Sequence, residues 1–242
     1  MAGESIRMID RVLACSLTVA VRWGMVCVFA SSALAADGWR ELFDGKTAAG
    51  WVEITGKPFP ETWTIEDGCL KAVPRAGGLQ DIRTVEVFRG FELEFDWKMM
   101  ADGNSGVKYL IQKVDEWTNK DGRQAGARGL EYQLADDRNP DAASDPARVA
   151  GALYSVIAPV PRISPKIGEF NHSRLVVDGA RVQHWLNGAK VVEFDTGAPA
   201  VRKQLRELRG KTGELLDEGP ISLQNHGSEV WFRGIRVRRL GK

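Results

Sequence analysis

Residues 174–194 constrain the fold more than any other stretch of this chain. Leu175–Val177, Val182–Leu186 and Lys190–Phe194 are separated by Asp178-Gly179 and Asn187-Gly188. Asp-Gly and Asn-Gly connections supply the positive φ angles of tight hairpins, so the stretch reads as a three-strand antiparallel meander. Residues 91–99, Phe-Glu-Leu-Glu-Phe-Asp-Trp-Lys-Met, alternate strictly between apolar and polar. That pattern is a strand with one buried face and one wet face, the wet one carrying Glu92. Further strands are expected at Thr62–Ile65, Cys69–Val73, Ser105–Gln112, Leu130–Leu134, Ala152–Val156, Ile221–Gln224 and Val230–Val237. Gly234 breaks the last alternation and marks a bulge. About a dozen strands with no interior domain break make an all-β sandwich, two antiparallel sheets packed face to face.

The interruptions of this pattern are few. Residues 113–128 and 135–150 are polar stretches rich in Asp, Arg, Asn, Gly and Pro, and they read as loops longer than plain connections. Residues 199–211 form the one helical pattern, with Pro199 near its start and Gly210 at its end. Its apolar stripe is narrow, which places it across the outside of the sandwich. At the N-terminus, Arg7, Arg11 and Arg22 precede the apolar run Trp23–Ala30 and the triplet Ala33-Leu34-Ala35. This is the pattern of an export signal cleaved after Ala35, leaving one domain over 36–242 in the periplasm or outside the cell. The apolar run is far too short for a membrane span of about 20 residues.

Three arginines and two acids lie in residues 1–35, which leaves 30 basic and 30 acidic residues in 36–242. That balance excludes an electrostatic nucleic-acid binder, which needs a basic stripe. Cys15 and Cys27 fall in the leader, so Cys69 stands alone and the domain is held by its core, with no internal disulfide. Cys69 reads as a buried thiol, because no motif surrounds it. Trp51, Trp63 and Trp97 read as core, and His172 and His184, inside the meander, as structural or rim residues.

A series of short motifs runs through the chain in order. Leu42-Phe43-Asp44-Gly45-Lys46 with Gly50-Trp51 opens it, followed by Trp63 with Asp67-Gly68 and by Asn104-Ser105-Gly106-Val107-Lys108-Tyr109. Next come Gly129-Leu130-Glu131-Tyr132-Gln133-Leu134 with Asp136-Asp137, and Gly151-Ala152-Leu153-Tyr154. The second half contains Glu169-Phe170-Asn171-His172, His184-Trp185-Leu186-Asn187-Gly188, Ser222-Leu223-Gln224-Asn225-His226-Gly227 and Trp231-Phe232-Arg233-Gly234. In these pieces the chain resembles the 3-keto-disaccharide hydrolase domain family. The resemblance implies a concanavalin-like jelly roll with a sugar cleft on its concave side, acting on glycosides oxidised to a ketone at C3. It departs from the family at Phe170, Asn225 and Gly234, where Trp, Asp and Asn are usual.

The residues themselves gather in the same way. On the strand Leu130–Leu134, Glu131 and Gln133 share one face, and on Ile221–His226 the face is shared by Ser222, Gln224 and His226. Asn104, Lys108 and Gln112 share a face on a third strand. A carboxylate, an imidazole, an ammonium and several amides on one concave sheet are the groups of a sugar site. Glu131 and His226 take the acid and base roles in either order, and Lys108 faces the C3 oxygen. Asn104, Gln133, Asp136, Tyr154, Gln224 and Arg233 bind the sugar. No compact metal-ligand spacing occurs, so the reading admits at most one weakly held divalent ion, using the acids Asp136, Asp137, Asp141 and Asp145 with His226. Two other readings stay open: a retaining or inverting glycosidase using Glu131 and Asp136, and a non-catalytic carbohydrate-binding module of the same fold.

Overall fold

A computed structural model of the protein describes residues 38–74, 78–210 and 214–241; the leader expected over 1–35 lies outside them. Among the described residues thirteen strands form two antiparallel sheets. The larger contains β1 (Arg40–Glu41), β3 (Trp63–Glu66), β4 (Cys69–Ala72), β6 (Phe91–Met99), β9 (Asn171–Asp178), β10 (Arg181–Leu186), β11 (Ala189–Asp195) and β13 (Val230–Arg239). Its order is β11-β10-β9-β6-β13-β4-β3, with β1 also on β13. The smaller runs β2 (Trp51–Glu53), β5 (Ile82–Thr84), β12 (Ser222–Leu223), β7 (Asn104–Asn119) and β8 (Gly122–Ala135). The chain is thus a concanavalin-like β-sandwich.

Local chemistry accounts for the strands. In β6 the apolar set Phe91, Leu93, Phe95, Trp97 and Met99 is buried, and with Tyr109, Tyr132 and Phe232 it fills the space between the sheets. The meander forms where expected: Asn187 and Gly188 both take positive φ in the second hairpin, while Gly179 alone does so in the first. Trp51, Trp63 and Trp97 are buried, each indole N–H donating to Leu42 O, Gln80 O and Ser173 Oγ respectively. Cys69 is a buried free thiol. The bulge marked by Gly234 is present, with the β6–β13 register shifting between Arg233 and Arg236.

Several expectations fail. Residues 113–128 are no loop but the outer half of the β7–β8 hairpin, a two-stranded ribbon joined at Lys120-Asp121. Residues 152–156 form only isolated bridges, Leu153 to Tyr132 and to Ile157. Glu92 is buried beneath Arg174 and Arg238, both of which pair with it. The helix forms as α2 (Pro199–Arg209) with Gly210 as its C-cap, but it buries Val201 and Leu205 and carries Gln204 and Leu208 to the mouth of a cleft. Within 135–150, a short helix α1 (Pro140–Ser144) is capped by Asn139 and followed by a 3₁₀ turn at Pro146–Arg148.

Candidate active site

The five-stranded sheet builds the floor of that cleft. β7 and β8 pair so that Lys108 lies opposite Glu131 and Gly106 opposite Gln133. β12 adds a third row, with Ser222 opposite Lys108 and the Gln224 N–H donating to Gly106 O at 2.9 Å. Since Val107, Tyr109, Leu130, Tyr132 and Leu134 are committed to the core, alternation turns Lys108, Glu131 and Gln133 to the opposite face. Gly106 makes room there. A Cβ at that position would lie 2.3 Å from Glu131 Oε1, so the bare backbone leaves the carboxyl its resting place.

The cleft above this floor has a volume of about 270 Å³. Lys108 is 8% exposed, and its ammonium lies 3.3 Å from Asp81 Oδ2. Burial alone would depress the Lys108 pKa, but Asp81 and Glu131 outweigh it and hold the ammonium above its ordinary value. Asp81 is fixed in turn by the N–H groups of Ala127 and Asn225, at 3.1 and 3.0 Å. Asn225 also donates from Nδ2 to Thr62 O, a bond that an Asp at this position would lack. With its amide oxygen turned to the ammonium, Gln224 accepts from Lys108 Nζ at 3.1 Å and donates to Glu131 Oε1 at 3.3 Å. Burial pushes the Glu131 carboxyl up to about 7; Lys108 opposes the rise, and Asp81 and Asp141 add to it.

Around this centre, Gln133 donates to Asn104 Oδ1 at 2.9 Å, while its own buried Oε1 has no hydrogen-bond partner among the described residues. Tyr154 lines the cleft and donates to Asp141 Oδ2, whose other oxygen pairs with Arg148. His226 stands exposed at the rim. Glu131, Lys108, Asn104, Gln133, Tyr154, Gln224 and His226 therefore meet in one place.

Asp136 and Arg233 do not join them. Asp136 is occupied by the Asp102 N–H and by Arg138, ordering the turn that follows β8. Arg233 lies on β13 in the other sheet, over the Phe170 ring and beside Asp96. Gln112 also leaves the shared face, because Leu110 takes a positive φ and the β7–β8 register shifts after Tyr109. Gln112 turns inward to bind the backbone of Leu110 and Leu216. The acid-rich loop is equally occupied: Asp137 with Ser164 and Arg162, Asp145 with the Ala147 N–H. Among the described residues no three His, Cys, Asp or Glu side chains approach closely enough to share a metal ion. The cation facing both Asp81 and Glu131 is Lys108 itself, so this donor set does not fit a resident divalent ion.

Of the remaining histidines, His184 is buried, donating from Nδ1 to Gly151 O and accepting from Tyr109 Oη, and burial lowers its pKa to about 4. His172 pairs with Asp96 on the surface. Both are structural. Asp81 was not anticipated by the sequence, for it precedes a three-residue strand in no motif and shows its role only once β5, β8 and β12 are assembled.

Residues 38–238 match the family described as the 3-keto-alpha-glucoside-1,2-lyase-like domain. The chain belongs to this family. A 3-keto-disaccharide hydrolase of Bacteroides thetaiotaomicron is 36% identical over 231 residues, covering 85% of this chain and 79% of that protein. Two solved structures of putative glycosyl hydrolases from Parabacteroides distasonis are similar at 27% and 28% identity, with TM-scores of 0.70 and 0.63. They cover 87% and 84% of this chain and 99% of each of theirs. Membership places the chain among the enzymes that break glycosidic bonds.

Proposed function

We propose that this enzyme cleaves glycosides carrying a ketone at C3, by elimination across C1–C2 followed by hydration. The observation that carries the reading is the placement of Lys108 directly opposite Glu131 across the β7–β8 ladder on the cleft floor. An ordinary glycosidase passes through an oxocarbenium-like transition state that gathers positive charge at C1, and a buried ammonium beside it would oppose that charge. Elimination next to a ketone instead gathers negative charge on the C3 oxygen, which a fixed ammonium stabilises. The Asp81 carboxylate keeps Lys108 protonated for this task.

In the proposed sequence Glu131 removes the C2 proton. The C2–H electrons form the enolate, whose O3 is held by Lys108, and collapse of the enolate expels the C1 oxygen substituent. His226 gives a proton to the departing oxygen, leaving a 1,2-unsaturated 3-ketone and the free alcohol. Water then adds, its oxygen to C1 and its proton to C2, and the 3-keto sugar is released. A base works best when its pKa lies near the working pH, and about 7 satisfies that for Glu131. Asn104 and Gln133 hold ring hydroxyls, the unpartnered Gln133 Oε1 accepting from one of them. The absence of Asp136 from the cleft weighs against the two-carboxylate glycosidase built on Glu131 and Asp136.

The test is a matched pair, a 3-keto glycoside and its unoxidised parent, given to the purified enzyme. Release of the leaving group from the ketone alone is expected. Equal release from both would overturn the proposal, and binding of either without turnover would favour a carbohydrate-binding module. The cleavable leader Met1–Ala35 and its export belong to the same proposal. N-terminal sequencing of periplasmic protein should begin at Ala36, and an intact leader on cytoplasmic protein would refute it.

A further inference from the structure

The cleft does not end at the catalytic residues. A second compartment of about 370 Å³ adjoins the first and shares Lys108, Arg128, Gln224 and His226 with it. The two halves differ in chemistry. The first holds Glu131, Gln133, Asn104 and Tyr154, whereas the second sets Leu79, Gly126 and the indole of Trp117 beside Asp81, Gln124 and Asn225.

Trp117 is unlike the buried Trp51, Trp63 and Trp97. It lies on the outer ribbon of the β7–β8 hairpin, is 46% exposed, and faces the cleft. Its direct partner across the ribbon is Gln124, and the diagonal neighbour on the same face, opposite Asp115, is Gly126, which carries no side chain. A Cβ built there would lie 3.6 Å from Trp117 Cη2 and 3.5 Å from Asp81 Oδ2, so the missing side chain leaves open a slot running from the indole to the carboxylate that holds Lys108. Gly126 is not in the left-handed region, so its backbone does not require glycine. An exposed indole beside an open slot is a surface for the flat apolar face of a ring.

We infer that Trp117 and Gly126 form the leaving-group subsite, and that it takes a substituent with a flat ring after the scissile oxygen, a second pyranose or an aryl group. The inference rests on the proposed reaction, which puts the ketone-bearing sugar over Glu131 and Lys108. The departing oxygen then falls beside His226, at the junction of the two compartments, and what it carries extends towards Trp117. Trp117 touches no reacting atom; it acts as a specificity residue through binding energy remote from the reacting centre.

The experiment compares three 3-keto glucosides differing in leaving group, namely methanol, p-nitrophenol and glucose, with wild type, Trp117→Ala and Gly126→Val. Circular dichroism and thermal melts check folding. For Trp117→Ala, kcat/KM should fall roughly tenfold on each ring-bearing substrate, mostly through KM, and stay within about twofold of wild type on the methyl glycoside. Trp117→Phe should recover part of the loss. Gly126→Val fills the slot while keeping the indole and should reproduce the same selectivity. Loss on only one of the two ring-bearing substrates narrows the subsite to a sugar or an aryl group and supports it. No loss on either, or an equal loss on the methyl glycoside, overturns the assignment while leaving the reaction standing. A folded wild type that cleaves none of the three overturns the reaction, and the subsite with it.

Discussion

The outer faces of the two sheets are built from the same alternating pattern and do opposite things with their charges. On the large sheet the charged side chains lie at the surface or, like Glu92, directly beneath it, and they neutralise one another: Glu92 with Arg174 and Arg238, Glu94 with Arg236, Asp96 with Arg233, Glu193 with Arg181 and Lys190. Lys98 lies over Trp231 and Phe170. The outer ribbon of the small sheet is paired in the same way, Asp115 with Lys113 and Arg128 and Glu116 with Arg123, but on its cleft floor the charges are few and sunk, and the pairing is incomplete. Lys108 has its partner in Asp81, but Glu131 receives only an amide and a charge at a distance. A paired surface charge contributes little to stability and nothing to chemistry. A carboxyl held away from full pairing keeps its proton near neutrality, where it can be exchanged with a substrate.

The largest expected effect that tests this contrast comes from Glu131→Gln, which keeps shape and hydrogen bonding but removes the ionisable group. Cleavage of a 3-keto glycoside should fall about 10²–10⁴-fold. Stability should move the other way. The Glu131 carboxyl binds its proton more tightly folded than unfolded, so it favours folding below the ordinary carboxyl range, and that advantage is lost as pH rises through about 7. The Gln variant should therefore melt a few degrees above wild type at pH 8, with the gap closing by pH 5. A lower Tm at both pH values would make Glu131 a structural residue.

Lys108→Met should cost about 10²-fold or more in kcat. Unlike the Glu131 change, it leaves Asp81 buried without its cation, so it should also destabilise the fold by about 3 kcal/mol in urea unfolding. Asp81→Asn keeps an acceptor for only one of the Asn225 and Ala127 amides, which bind different carboxylate oxygens, and sets an NH2 against the other donor, so it should also destabilise the fold. A pH profile separates roles at the same scale. With Glu131 as base, kcat/KM rises with pH and levels above about 7; a fall through that value would assign Glu131 as the acid and His226 as the base.

Smaller still is Gln133→Ala, expected to raise KM several-fold with a modest loss of kcat, because an amide on ring hydroxyls binds ground state and transition state alike. Arg233→Ala closes the series. It lies on the paired face of the other sheet, and it should leave kcat/KM unchanged and shift Tm by about a degree at most. A loss of activity there would break the division between the two faces.

Much of this division is legible in the sequence, and the limits are physical. Period-two alternation identifies β6 and the meander, and it places Glu131 with Gln133 on one face, because strand geometry follows from local sequence. The convergence of Lys108, Glu131 and Gln224 followed from the same rule applied to three strands. Alternation cannot say which of two polar faces lies under a cleft, so Arg233 looked as suitable as Gln224. The bulge at Leu110 carries Gln112 off the shared face through a positive φ at a leucine, which no propensity announces. Asp136 is drawn out of the cleft by the backbone N–H groups of Asp102 and Arg138 together with the Arg138 guanidinium, a set that only the turn after β8 assembles. Asp81 was missed because its partners come from β7, β8 and the segment after β12, brought together only by long-range pairing.

The central claim is that Glu131 breaks a C2–H bond, and isotopic competition tests it most directly. A 3-keto glycoside deuterated at C2 is mixed with its protiated form and given to wild-type enzyme at pH 6, where less of Glu131 is ionised and proton transfer is slow. The unreacted substrate is analysed by mass spectrometry at partial conversion. The protiated form should be consumed faster, leaving the remainder enriched in deuterium. An isotope ratio that stays constant while the glycoside is cleaved would mean that no C2–H bond breaks in the committing step, and would contradict the elimination mechanism built on Glu131 and Lys108.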